Sequence, residues 1–152
     1  MQARGETLAV AESCTGGLLG QQLTATAGSS GYFLGGIISY DNAVKRRLLG
    51  VNRKTLDKYG AVSEKVAKQM AQGVRKKLRT NWGLSITGIA GPDGGSEEKP
   101  LGLVYIGLSG VDGTKLEWEY RFGEHRSREG IRYMSASNAL DQLRRHLLTL
   151  GY

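Results

Sequence analysis

Three short apolar runs, each ending in small polar residues or glycines, set the frame of this chain. TLAVA (7–11) leads into ESCTGG, GGIISYD (35–41) into NAVK, and NWGLSITG (81–88) into IAGPDGG. Runs this short, flanked by turn formers, suit strands buried on both faces. Between them lie segments of helical period. One covers 17–26, and a second covers 43–49, with Asn42 as its expected cap and Gly50 as its stop. A short helix is expected at 54–58, and a long one follows Ser63, with Val66, Met70, Val74 and Leu78 recurring every four residues. Two more strand patterns, LGLVYIGLS (101–109) and KLEWEYRF (115–122), precede a C-terminal helix from Arg126 that carries Leu140, Leu143, Leu147 and Leu150 on one stripe. The order β-α-β-α-α-β, then β-β-α, predicts an α/β fold: a three-layer α/β/α sandwich with a mixed, mostly parallel sheet. The 152 residues suit one domain, 1–152, with no linker or internal repeat.

Bulk properties narrow the function. Hydrophobic residues at 39% and charged residues at 23% match ordinary globular proteins. No apolar run approaches the ~18 residues of a membrane span, so no membrane partner is expected. The opening MQARGETLAV has no signal-peptide core, which predicts a cytoplasmic protein. The first six residues are too few for a helix beside the first strand; a partner subunit is the expected cover, hence a homodimer. One cysteine excludes an internal disulfide framework and a thiolate cluster, and neither metal nor cofactor is expected. The net charge of +7 suits a polyanion or a small phosphorylated substrate. Its excess lies at 45–47, 53–54 and 75–79, on helical segments where solvated faces account for it. Aromatics at 7% argue against a single-strand binder, so nucleic acid is not the expected partner. Glycine, at 23 residues, is about twice the usual ~7% and brings backbone close to something.

AESCTGG (11–17) lies at the carboxyl end of a sheet strand, where open α/β sheets bind ligands. No lysine follows Gly16 and Gly17, so a P-loop is excluded, and G-x-G-x-x-G is absent. What remains is a hydroxyl or thiol, Ser13 or Cys14, presented beside helix N–H groups, or else only a capped turn held by Ser13 or Thr15. A serine nucleophile needs a base. His146 reads as a surface position and His125 lacks a carboxylate partner, so a Ser-His-Asp triad is not expected. A lysine of lowered pKa is the other option. SYDNAVK (39–45) supplies Lys45, with Tyr40 at the strand end. SITGIAGPDGG repeats the logic with Thr87, Gly88 and Gly91. Arg126, Arg128 and Arg132 crowd a helix N-terminus, a poor place for cations unless an anion also binds there.

AESCTGG, SYDNAVKRRLLGV, GAVSEKVA, SITGIAGPDGGSEEKPLG and FGEHRSREGIR, in that order, resemble the C-terminal domain of competence/damage-inducible CinA proteins. The stand-alone form of that domain is the nicotinamide mononucleotide deamidase PncC. The resemblance implies an amidohydrolase that converts nicotinamide mononucleotide to nicotinate mononucleotide and ammonia without a metal. It makes Ser13 the nucleophile and Lys45 and Tyr40 its activators. Cys14, Thr15, Gly16, Gly17 and Asn42 would border the substrate, with Thr87, Gly88 and Gly91 in the second loop. Arg126 and Arg132 match the family's basic pair, with GEHR standing where G-D-R is usual. Two other readings remain: an inactive paralogue that binds a nucleotide or a partner protein, and a basic nucleic-acid binder.

Overall fold

Alternation along the first strand sets the architecture. In the computed structural model, which describes residues 1–151, β1 (Leu8–Glu12) is buried at every position. Leu8 and Val10 enter one apolar cluster with Leu19, Leu23, Ile106 and Leu143. Ala9 and Ala11 enter another with Leu49, Val66, Met70 and Val74. A strand that feeds two cores must be covered on both faces.

The remaining elements supply that cover. They are α1 (Leu18–Thr24), β2 (Phe33–Ile38), α2 (Asn42–Leu49), α3 (Arg53–Tyr59), α4 (Glu64–Leu78), β3 (Trp82–Gly88), β4 (Leu103–Gly110), β5 (Lys115–Arg121) and α5 (Arg128–Thr149). The sheet order is β2-β1-β3-β4-β5. β1 pairs in parallel with β2 and β3, whereas β4 is antiparallel to both β3 and β5. The sheet is therefore mixed, with β4 alone running against the rest. Helices α1 and α5 cover one face, and α4, with α2 and α3 beside it, covers the other, which gives the expected three layers.

Two parallel crossovers bring the carboxyl ends of β1, β2 and β3 to one edge, with Glu12 opposite both Ile38 and Ile86. The residues that follow each strand meet there. The seating of α2 at that edge depends on Gly73 in α4. A Cβ at Gly73 would lie 1.9 Å from the Leu49 carbonyl oxygen, so α2 rests on α4 backbone to backbone. A mid-helix glycine costs about 1 kcal/mol relative to alanine, which this close packing offsets.

Several boundaries differ from expectation for local reasons. The α2 cap is Asp41, not Asn42: Asp41 is extended and its carboxylate accepts from Ala43 N at 2.6 Å. Asn42 is the first helical residue and is exposed. Helix α5 starts at Arg128 rather than Arg126, because the Ser127 hydroxyl accepts from Gly130 N at 3.0 Å. His146 is not a surface residue. It is half-buried, with its ring edge-on to Trp82 at 5.5 Å. The N-terminal residues Gln2–Arg4 form a 3-10 turn, and Met1 packs against the α1/α5 core. Among the described residues, no helix is long and apolar enough to cross a membrane.

Candidate active site

The parity of β1 continues past its end. The Ser13 N–H donates to the Ile86 carbonyl at 3.0 Å, so Ser13 is still held in sheet geometry. Glu12 then faces α1, and Ser13 faces α2, where Lys45 waits. Lys45 Nζ donates to Ser13 Oγ at 3.0 Å, to Ser39 O at 2.7 Å and to Tyr40 O at 3.1 Å. The side chain is only 1% exposed, and among the described residues no carboxylate forms an ion pair with it. Its three N–H directions are filled, but by neutral oxygens alone. Burial therefore lowers the Lys45 pKa below the ordinary lysine value, against smaller opposing pulls from Cys14 and Asp41.

The neighbouring thiol behaves differently. Burial pushes Cys14 up to about 12, so at neutral pH it is an uncharged thiol. A helix N-terminus activates a cysteine only when the thiolate can be solvated or paired. Between the two candidate nucleophiles, the geometry favours Ser13.

Glu12 is a residue the sequence reasoning passed over. Its buried carboxylate accepts from Gly17 N and Leu19 N, both at 3.0 Å, and from Gly20 N at 2.9 Å. The free helix N-terminus expected at this turn is thus already filled by the chain's own anion. Gly16 N donates to Ser13 O at 3.1 Å and Leu18 N to Thr15 O at 3.1 Å. Among the described residues, that leaves the N–H groups of Cys14 and Thr15 without an acceptor other than the Cys14 sulfur itself. Of the N–H groups of residues 14 to 16, where an oxyanion is expected to be held, only these two stay open. The Thr15 hydroxyl is buried without a partner among the described residues.

A cavity of about 260 Å³ opens on Ser13 and Lys45, lined also by Cys14, Tyr40, Thr87 and Arg128. Thr87 Oγ1 donates to Ala61 O at 2.9 Å and so ties β3 to the α3–α4 connection. Gly88 and Gly91 border the cavity; a Cβ at Gly88 would meet Val104 Cγ2 at 2.6 Å. The Tyr40 hydroxyl is not on Ser13 or Lys45. It accepts from Arg128 Nη2 at 3.0 Å, while Arg128 Nη1 donates to Gly91 O. The hydrogen bond between Tyr40 and Lys45 is made by the Tyr40 backbone carbonyl.

The arginines expected as a basic pair lie apart from one another in their surroundings. Arg126 is exposed and outside the cavity lining, whereas Arg128 lies at its mouth. Arg132, one helical turn on, is half-buried and donates to Thr15 O at 2.9 Å, so it holds the turn after Ser13 from behind. Asn42 is outside the lining, and His125 is exposed. Lys99 was not anticipated. Its ammonium donates to Val62 O at 2.8 Å and to Tyr59 O, pinning the glycine-rich loop over the α3–α4 junction. A wider concavity of about 530 Å³ on that loop contains neither Ser13 nor Lys45.

Known proteins resemble the whole chain in sequence and fold. The profile of the family described as "CinA C-terminal domain" matches residues 1–147. A CinA-like protein of Acaryochloris marina is 66% identical over 97% of the chain, and one of Trichormus variabilis is 63% identical over 98%. The chain spans only 35% and 36% of those two relatives, about a third of their length. The crystal structure of competence/damage inducible protein CihA from Agrobacterium tumefaciens superposes with a TM-score of 0.91 at 44% identity, covering 93% of this chain and 86% of that one. Competence damage-inducible protein A of Klebsiella pneumoniae also gives 0.91, at 30% identity, covering 97% of this chain and 89% of that one. Fold, sequence and length of match agree, and the chain belongs to the CinA C-terminal domain family.

Proposed function

We propose that the chain is a serine amidohydrolase that deamidates nicotinamide mononucleotide to nicotinate mononucleotide and ammonia. The observation that carries this reading is the 3.0 Å contact between Ser13 Oγ and a buried Lys45 ammonium whose hydrogen-bond partners are all neutral. When Lys45 loses a proton, two N–H bonds can stay on Ser39 O and Tyr40 O, and the lone pair is left facing the Ser13 hydroxyl. This is the arrangement a general base requires.

Ser13 Oγ attacks the carboxamide carbon and its proton passes to Lys45. The N–H groups of Cys14 and Thr15 are the donors on hand for the oxyanion, each worth about 3–4 kcal/mol in comparable sites. Collapse of the tetrahedral adduct breaks the C–N bond, and the proton on Lys45 leaves with ammonia. Water, deprotonated by Lys45, then hydrolyses the ester and returns the proton to Ser13. Arg128, exposed at the cavity mouth, takes the role expected of Arg126 and meets the 5′-phosphate.

The test is ammonia release from nicotinamide mononucleotide, lost on Ser13→Ala. Release that survives this substitution overturns the mechanism. Thermal stabilisation by the nucleotide with no ammonia from the wild-type chain would instead support the inactive paralogue.

A further inference from the structure

We infer that Glu12 is a positioning residue for the acyl-transfer turn, an inference that rests on Ser13 being the nucleophile. The turn from Ser13 to Gly17 is fixed at its two ends, with Arg132 on Thr15 O between them. At the sheet end, Ser13 N is bonded to Ile86 O, and Glu12 O accepts from Ser39 N at 2.7 Å. At the helix end, nothing within α1 does the work: its cap is Gly17, with no side-chain cap bond, and seven residues are too few to hold a helix alone. The anchor is Glu12, whose two carboxylate oxygens take three N–H groups of the first turn. Thus the residue that precedes the nucleophile in sequence also closes the loop behind it.

The closure has two consequences for chemistry. It sets where the Cys14 and Thr15 N–H groups point, because Gly16 and Gly17 sit at φ 57° and 105° and offer no stiffness of their own. It also removes the helix amides from competition for an incoming anion, so a developing oxyanion meets only the two N–H groups beside Ser13. The same carboxylate stays off Lys45: it lies on the opposite side of the sheet and pairs with no described cation.

The test uses a fluorophosphonate that phosphonylates activated serines, with ammonia release measured in parallel. Ser13→Ala and Lys45→Met set the background. Glu12→Ala should slow labelling about 100-fold, as expected when a reacting group is misplaced by an ångström, and Glu12→Gln on the order of 10-fold, since one amide oxygen still accepts. kcat should fall in step while KM holds. Should Glu12→Ala fail to fold, Glu12→Gln carries the test. Labelling and kcat that stay at wild-type values in a folded variant, with only the melting temperature reduced, would overturn the inference and leave Glu12 a plain cap. An unlabelled wild-type chain would overturn it too, since no reactive serine would need positioning. Labelling without ammonia overturns the substrate assignment alone.

Discussion

Glu12 and Lys45 flank Ser13 from opposite faces of the sheet, each 1% exposed, and their surroundings differ in kind. The glutamate meets three backbone N–H groups at the end of a helix, all of which favour negative charge. The lysine meets two carbonyls and a hydroxyl, which orient an ammonium but supply no countercharge. One burial stabilises a charge and builds structure. The other leaves a charge poorly compensated, and a group in that position is ready to give up its proton.

Replacing Lys45 with methionine breaks one side of this comparison and has the largest expected effect. Turnover should fall by about 100- to 10,000-fold, the range of general-base catalysis. Stability should change by no more than the ~1–3 kcal/mol of stranded carbonyls. Equal losses of activity and folded protein would mark the lysine as structural. Gly73→Ala should come next. The methyl would collide with Leu49 O, costing about 1–3 kcal/mol of overpacking, and would push α2, and Lys45 with it, away from Ser13. Denaturant melts would show the first effect and kcat the second, while α1 and Glu12 stay in place.

A smaller effect is a pH slope. Between the lowered value of folded Lys45 and the ~10.4 of an unfolded lysine, the unfolded chain binds more protons, so stability rises with pH across that window. Urea titrations at stepped pH should show wild-type stability gaining on Lys45→Met as pH increases; parallel curves would deny the shift. The smallest change is expected of Cys14→Ala. Its thiol, pushed up to about 12, takes no part, and ammonia release should persist.

The layers were legible because periodicity reports burial. The four-residue spacing of Val66, Met70 and Val74 names one face of α4, and all three are fully buried. Ser13 and Lys45 could be paired only by assuming that β1 and β2 are parallel neighbours, which they are. Glu12 was missed because its partners lie five to eight residues ahead, at a distance set by the turn and not by any repeat. Matching GEHR to the family's G-D-R points to Arg126 rather than Arg128. The usable signal was the four-residue spacing of Arg128 from Arg132, which puts both on one side of α5 once Ser127 caps it. Asn42 lost the cap to Asp41 because both side chains suit that role and only the backbone chooses.

The odd-even order of β1 makes the Ser13 edge of the sheet sensitive to counting. Deleting or inserting one residue between Leu8 and Glu12 would turn the strand inside out: leucine and valine would swap cores with two alanines, and the acid and the alcohol would trade sides. Substitution in this strand is a matter of size, while a change in its length rewrites the whole edge at once. Shortening by two residues keeps the parity but drags the turn back from Ile86, so β1 has essentially one workable length.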